Sequence, residues 1–276
     1  MTDRTWFITG AGRGLGRAFA EAALRDGDRV VGTVRTGGSL APLTDDPGRA
    51  RELVLDVRDH AAVHDVVDEA AAVFDGLDVV VNNAGTGLVG AIEEVDDALA
   101  RDLLDLNLFG ALAVSRAALP HLRATGGDLV QISTVGAIGT MPTMGLYNAS
   151  KWALEAFSEA LSNEVAGQGV HVTIAQLGGF ATEWAGASMP FAPPLPAYDD
   201  LRTALFGTAE VPWPASDEPS TEADPSDAAD ALVAHLADPD RPLRVLIGDD
   251  AKEQAAMAYA MRRDSYGTEP GFSWPT

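Results

Sequence analysis

The chain has 276 residues, no cysteine, 46% hydrophobic residues and a formal net charge of −22. That length suits a single large α/β domain spanning residues 1–276, and the lack of thiols excludes disulfides, a thiolate nucleophile and thiolate metal sites. The acidity argues against nucleic acid or an anionic membrane as partner. No apolar run approaches the roughly 20 residues of a membrane span, and the N-terminus lacks a signal-peptide pattern, so a cytoplasmic location is expected.

Residues 6–9 read as a first strand, running into Thr9-Gly10-Ala11-Gly12-Arg13-Gly14-Leu15-Gly16 and then an Ala/Leu-rich helix to Arg25. A strand, a glycine-rich turn and a helix make a phosphate cradle. Glycines let the backbone approach a pyrophosphate, and the helix start offers free N–H groups with partial positive charge. Gly10, Gly14, Leu15 and Gly16 are therefore candidate cofactor residues.

Residues 30–34 read as the second strand, with Arg35 at its carboxyl end, where a dinucleotide fold for NAD would place a carboxylate on the ribose hydroxyls. A guanidinium there suits a 2′-phosphate, and Arg13 can meet the same phosphate from the glycine turn. Residues 53–57 read as a third strand ending at Asp56 and Val57. Asp56 either accepts from an adenine amino group or caps the next helix. His60 and His64 belong to that helix, and the five histidines show no metal-like grouping. Residues 77–81 form a fourth strand followed by Asn82-Asn83-Ala84-Gly85, small and amide residues suited to close cofactor approach.

A long helix is expected over residues 96–119. Asn107 lies inside it, a poor mid-helix residue that points to a kink or a functional role. Residues 129–132 form a fifth strand, with Ser133 and Thr134 at its end. The next helix carries Tyr147 and Lys151, four residues apart and so on one face. The ammonium is expected to draw the phenol's pKa down from about 10, tuning it for proton transfer. Residues 170–174 are a sixth strand, leading to Leu177, Gly178, Phe180 and Thr182. From 183 to 224 the pattern dissolves into Pro and small residues with apolar anchors (Trp184, Met189, Phe191, Leu195, Tyr198, Leu205, Phe206, Trp213), as in a substrate lid with short helices. Asp224-Pro225 opens a helix to Ala237, residues 243–247 form a last strand and 250–263 a last helix. The alternation of apolar strands and helices predicts a doubly wound parallel sheet of about seven strands, Rossmann-type.

These motifs, in this order, resemble the short-chain dehydrogenase/reductase family over nearly the whole chain. Thr9-Gly10 with Gly14 and Gly16 is similar to its cofactor loop, and Asn82-Asn83-Ala84-Gly85 to its strand-four motif. Asn107, a Ser/Thr site, Tyr147 and Lys151 are similar to its catalytic tetrad. The resemblance implies a nicotinamide cofactor, here NADP(H) in preference to NAD(H), and hydride transfer to or from a small-molecule carbonyl or alcohol. It also implies a homodimer or homotetramer built on the helices at 96–119 and 150–165. The family's hydroxyl residue stands 13 positions before the tyrosine, which selects Thr134; Ser133 serves if the following loop shifts by one. Lys151 is then expected to bind the nicotinamide ribose as well, and Asn107 to hold a proton-relaying water. Leu177 replaces the family's usual proline, which puts the rigidity of the Gly178–Thr182 loop in question. A redox-sensing NADP-binding protein without chemistry is the alternative, though it would be free to lose Tyr147 or Lys151.

Overall fold

Successive strand residues point to opposite sides of a sheet, and here both sides are apolar: Trp6 and Ile8 face one core, Phe7 the other, all without exposure. In the computed structural model, which describes residues 3–40, 43, 46, 48–182, 189–212, 223–271 and 273, seven strands form one parallel sheet. They are β1 (Thr5–Ile8), β2 (Arg29–Val34), β3 (Ala50–Val54), β4 (Val79–Asn82), β5 (Asp128–Thr134), β6 (His171–Leu177) and β7 (Arg244–Ile247). Their order is β3-β2-β1-β4-β5-β6-β7. Helices α1 (Gly14–Arg25) and α7 (Pro225–Ala237) cover the Trp6 face. The Phe7 face is covered by α2 (His60–Val73), α4 (Ala111–Thr125) and α5 (Gly145–Val165). The expected doubly wound architecture is therefore the observed one. Ile8 pairs with Gly32 on one side and Val81 on the other, so the order reverses at β1 and β4. A crevice opens outside the carboxyl ends of strands at such a switch point.

Most boundaries shift by a residue or more from the sequence expectation, and three of these differences have a clear physical reason. β3 lies earlier than residues 53–57, because its pairing with β2 ends at Val34–Val54. Leu55 and Val57 continue the apolar alternation as buried loop residues. The helix expected at 96–119 is three pieces: α3 (Asp97–Leu104), a π turn (Asp105–Gly110) around Asn107, and α4. It continues through Pro120, held by the fully buried Leu122, to Gly126 in the left-handed region at φ 73°. β6 runs on to Leu177, since Thr134 and Ile247 continue to pair with it. Asp97–Thr125, 29 residues long, contains no continuous apolar run of span length but does hold an 18-residue window of mean hydropathy 1.3, enough by length and composition alone to cross a membrane. Its apolar side chains are used in packing against α2, α5 and the sheet.

Within the expected lid, Trp184 and Trp213 lie outside the described residues. The described part holds a 3₁₀ turn (Pro196–Tyr198) and α6 (Asp199–Phe206), the short helices anticipated. Arg202 of α6, with a side chain 2% exposed, binds Glu94 at 2.5 Å, and Glu94 also accepts from the Leu195 and Ala91 N–H groups. Phe191 bridges Val89. This segment is docked against residues 88–94.

Candidate active site

The switch-point crevice begins at Thr9. Its hydroxyl accepts from the Asn83 and Ala84 N–H groups at 3.0 Å each, while the Asn83 amide donates to the carbonyls of Thr9 (2.9 Å) and Gly10 (3.2 Å). One hydroxyl and one amide thus lock the ends of β1 and β4 together. Gly10 and Gly14 have φ of 68° and 53°, the left-handed region that glycine occupies without cost. At Gly16 a Cβ would lie 2.3 Å from the Gly10 carbonyl and 2.5 Å from the Asn83 amide, so only glycine lets α1 close on the turn. The N-cap residue of α1, Arg13, makes no side-chain cap hydrogen bond, and the first turn of a helix offers N–H groups to an anion. Leu15 packs on the core, and Thr182 sits 3.6 Å from where a Gly14 Cβ would be. The cradle fits a dinucleotide pyrophosphate.

At the carboxyl end of β2, Val34 is buried and Arg35 is exposed, as is Arg13 in the glycine turn. Glu52, which sequence reasoning did not single out, accepts from the Gly38 (2.6 Å) and Leu40 (2.7 Å) N–H groups and so shapes the loop after Arg35. Asp56 does not cap α2; Asp59 does, accepting from Ala62. The Asp56 carboxylate is instead gripped by Arg58 at 2.6–3.2 Å, and this holds it below the usual carboxylate range. Its acceptor capacity toward an adenine is correspondingly reduced. Val57 turns its side chain into the core against Gly110.

On α5, Tyr147 and Lys151 are both buried, one turn apart. The Lys151 ammonium donates to the Ile132 carbonyl at 2.8 Å, and a Cβ on Gly85 would lie 3.5 Å from it. Burial pushes the Tyr147 phenol well above its ordinary pKa, with a hydrogen bond to Thr134 partly opposing it. The expected lowering by Lys151 is therefore reversed, because desolvation of the phenolate dominates. Burial also draws Lys151 down to about 8. Both residues at the end of β5 reach α5, but at different turns: Thr134 meets Tyr147, while Ser133 donates to Glu155 at 2.6 Å, two turns further along the helix. The structure does not bring Ser133 to the phenol.

Asn107 is 1% exposed, and both ends of its amide are engaged. It accepts from the Thr86 N–H (2.9 Å) and donates to the Thr86 carbonyl (2.8 Å) and to Ser150 Oγ (3.0 Å). Ser150 in turn donates to the Tyr147 carbonyl. Asn107 thus clamps the chain after Gly85 to α5. Just before α5, Thr143 holds φ 67° with its carbonyl accepting from the Gly90 N–H at 2.7 Å, a strained conformation for a β-branched residue.

The loop after β6 answers the question raised by Leu177. Asp250 of α8 (Asp249–Tyr266) accepts from the Gly179 N–H at 2.9 Å, and a Cβ on Gly178 would lie 2.0 Å from its carboxylate. The rigidity a proline would give comes from this carboxylate clamp. Phe180 is buried and bridges Ala223. Arg262, also on α8, donates to the Ile138 carbonyl at 2.7 Å and stacks on Trp152 at 4.5 Å. One helix therefore holds the loops after both β5 and β6.

Residues 4–191 match the family described as short chain dehydrogenase. An oxidoreductase of Botryotinia fuckeliana is 38% identical over 260 residues, covering 92% of each chain. A short-chain dehydrogenase from Streptomyces avermitilis superposes with a TM-score of 0.87 at 34% identity, over 96% of this chain and 95% of that one. An alcohol dehydrogenase from Thermococcus sibiricus, complexed with 5-hydroxy-NADP, gives 0.73 at 25% identity, over 89% of this chain and 96% of its own.

The Asp250 clamp predicts a coupled pair. Asp250→Ala should cost about 1–2 kcal/mol by orphaning the Gly179 N–H. Gly178→Ala should cost about 2 kcal/mol in the parent but clearly less in the Asp250→Ala background, where the obstruction is gone. A denaturant-unfolding double-mutant cycle checks this, and simple additivity would refute the clamp.

Proposed function

The chain belongs to the short-chain dehydrogenase family, and from that premise we propose that it is an NADP(H)-dependent oxidoreductase interconverting a neutral or hydrophobic carbonyl compound and its alcohol. The observation that carries the reading is the buried Tyr147, one helical turn from the buried Lys151 and hydrogen-bonded to Thr134. When bound, the nicotinamide supplies or accepts the hydride. Thr134 donates a hydrogen bond to the substrate oxygen and orients it. Tyr147 gives that oxygen a proton as negative charge develops on it; a phenol held in its protonated form by burial is ready to act as this acid. Lys151 keeps positive charge beside the phenol as it loses its proton, and binds the nicotinamide ribose. Asn107 fixes the turn after Gly85 against α5, and with it the floor on which Lys151 rests; a water held there would relay protons to Lys151.

Preference for NADP(H) rests on Arg13 in the glycine turn and Arg35 just after β2, both exposed, and on Val34 where a carboxylate would repel a 2′-phosphate. The Thermococcus neighbour's 5-hydroxy-NADP is in keeping with it. Gly10, Gly14, Leu15, Gly16, Asn83, Ala84, Gly85, Gly178, Phe180 and Thr182 would line the rest of the cofactor's path, with Asp56 and Val57 beside the adenine. The substrate wall would come from the docked segment after residue 189, whose exposed face is largely uncharged. We place the protein in the cytoplasm, and its assembly as a homodimer or homotetramer is supported by Phe109, 47% exposed on the π turn beside α4.

Tyr147→Phe should lower turnover by about 10²- to 10⁴-fold, the usual worth of a general acid, while cofactor affinity is nearly kept. Thr134→Ala should lower turnover more than Ser133→Ala, since only Thr134 faces the phenol. Steady-state kinetics on the three variants decides both, and an unimpaired Tyr147→Phe would sink the mechanism.

Arg35→Ala should raise the Michaelis constant for NADPH about tenfold, the loss of one charge-assisted hydrogen bond, and change that for NADH little. Better use of NADH than NADPH by the parent protein would count against the cofactor reading.

A further inference from the structure

We infer that Glu155 is a positioning residue for Lys151: held one turn beyond it on α5 by Ser133, Gln176 and Arg244, its carboxylate keeps the buried ammonium charged and in place. The inference rests on the role proposed for Lys151 and concerns the same site.

An ammonium taken out of water must be compensated or it gives up its proton. The one hydrogen bond found for Lys151 goes to a neutral carbonyl, that of Ile132. Among the described residues no carboxylate lies within ion-pair distance of it. Compensation therefore comes through space, and in a poorly polarisable interior a charge one helical turn away acts strongly. Glu155 is the charged group that favours the ammonium against the cost of burial. It is itself 7% exposed, and neutral donors hold it. Ser133 donates at 2.6 Å, and the Gln176 amide reaches both oxygens at 3.1 and 2.9 Å. Arg244 approaches at 3.5 Å but binds Glu159 more closely, at 2.5 Å, so it offsets the charge of Glu155 only in part.

The other elements packed here bring few competing charges. β5 presents Ser133, β6 presents Gln176 and the π turn presents Asn107, all neutral. β7 presents Arg244, α5 itself adds Glu159 and Tyr147, and α8 places Arg262 over Trp152. This arrangement also gives Ser133 a purpose: it anchors the carboxylate that serves the lysine.

The chain contains two lysines, Lys151 and Lys252, and Lys252 is exposed on α8. Isotope-labelled lysine therefore gives two side-chain NMR signals, with Lys252 as the internal reference. In the full-length protein without added cofactor, Lys151 should titrate near 8. In Glu155→Gln its midpoint should fall by about one pH unit, a roughly tenfold loss of the protonated form at a given pH above it. In Arg244→Met the midpoint should rise, because the cation opposing the ammonium is gone. Opposite movements in the two variants cannot come from mere loosening of the fold, and Arg244→Met keeps the question open to decision if Glu155→Gln does not fold. Glu155→Asp should retain most of the parent midpoint. An unmoved Lys151 midpoint in Glu155→Gln, or an Arg244→Met midpoint that fails to rise, would overturn the inference. The titration needs no turnover, so it stands apart from the failure of the proposed reaction. If turnover is measured, the alkaline limb of its pH profile should shift to lower pH in Glu155→Gln.

Discussion

Burying the ammonium of Lys151 is the constraint to which the carboxyl edge of this sheet is fitted. A charge in that position needs an acceptor, a compensating carboxylate and walls that do not yield. The Ile132 carbonyl is the acceptor. The wall is the turn at Gly85, where a Cβ would crowd the Asn107 amide oxygen at 3.1 Å and touch the ammonium at 3.5 Å. The π turn brings Asn107 to this place, and its amide ties the chain at Thr86 to α5 through Ser150. A regular helix from Asp97 to Thr125 would not present that side chain with the same reach, which is the physical content of a π turn at a functional site.

The remaining loops are held by single polar side chains that satisfy backbone groups left over where strands end. Thr9 and Asn83 do this between β1 and β4, Glu52 does it after β2, and Asp250 does it after β6. Glu94 and Arg202 do the same for the segment after residue 189. Each clamp leaves its loop's outer surface free while fixing the backbone beneath. The crevice therefore has rigid edges, which a site that must align a hydride donor, a carbonyl and a phenol requires.

Much of this was legible in the chain. Alternating apolar strands and helices predict the doubly wound sheet, and the glycine turn after the first strand marks the switch point. Asn107 announces itself as an amide inside an apolar helix, and Tyr147 and Lys151 by their helical spacing. What was not legible depends on distance and burial. Asp250 meets Gly179 across 71 positions and Arg202 meets Glu94 across 108, and no local pattern couples them. The sign of the Tyr147 shift depends on how dry its surroundings are, which spacing does not report. Ser133 and Thr134 are adjacent at the end of β5, and which of the two meets Tyr147 follows only once α5 is laid against β5. Asp56 misleads only as a helix cap, since Asp59 takes that role, and the grip of Arg58 on its carboxylate is likewise a matter of packing.

The central claim is that this crevice performs hydride chemistry on carbonyls, with Tyr147 and Lys151 as its working pair. The most direct measurement is NADPH oxidation by the parent protein across a panel of ketones and aldehydes, alongside NADPH affinity by calorimetry. The account predicts that NADPH binds and is oxidised with at least one neutral or hydrophobic carbonyl compound. Tight NADPH binding with no oxidation against any member of a broad panel, in either direction of reaction, would contradict it and identify a cofactor sensor instead.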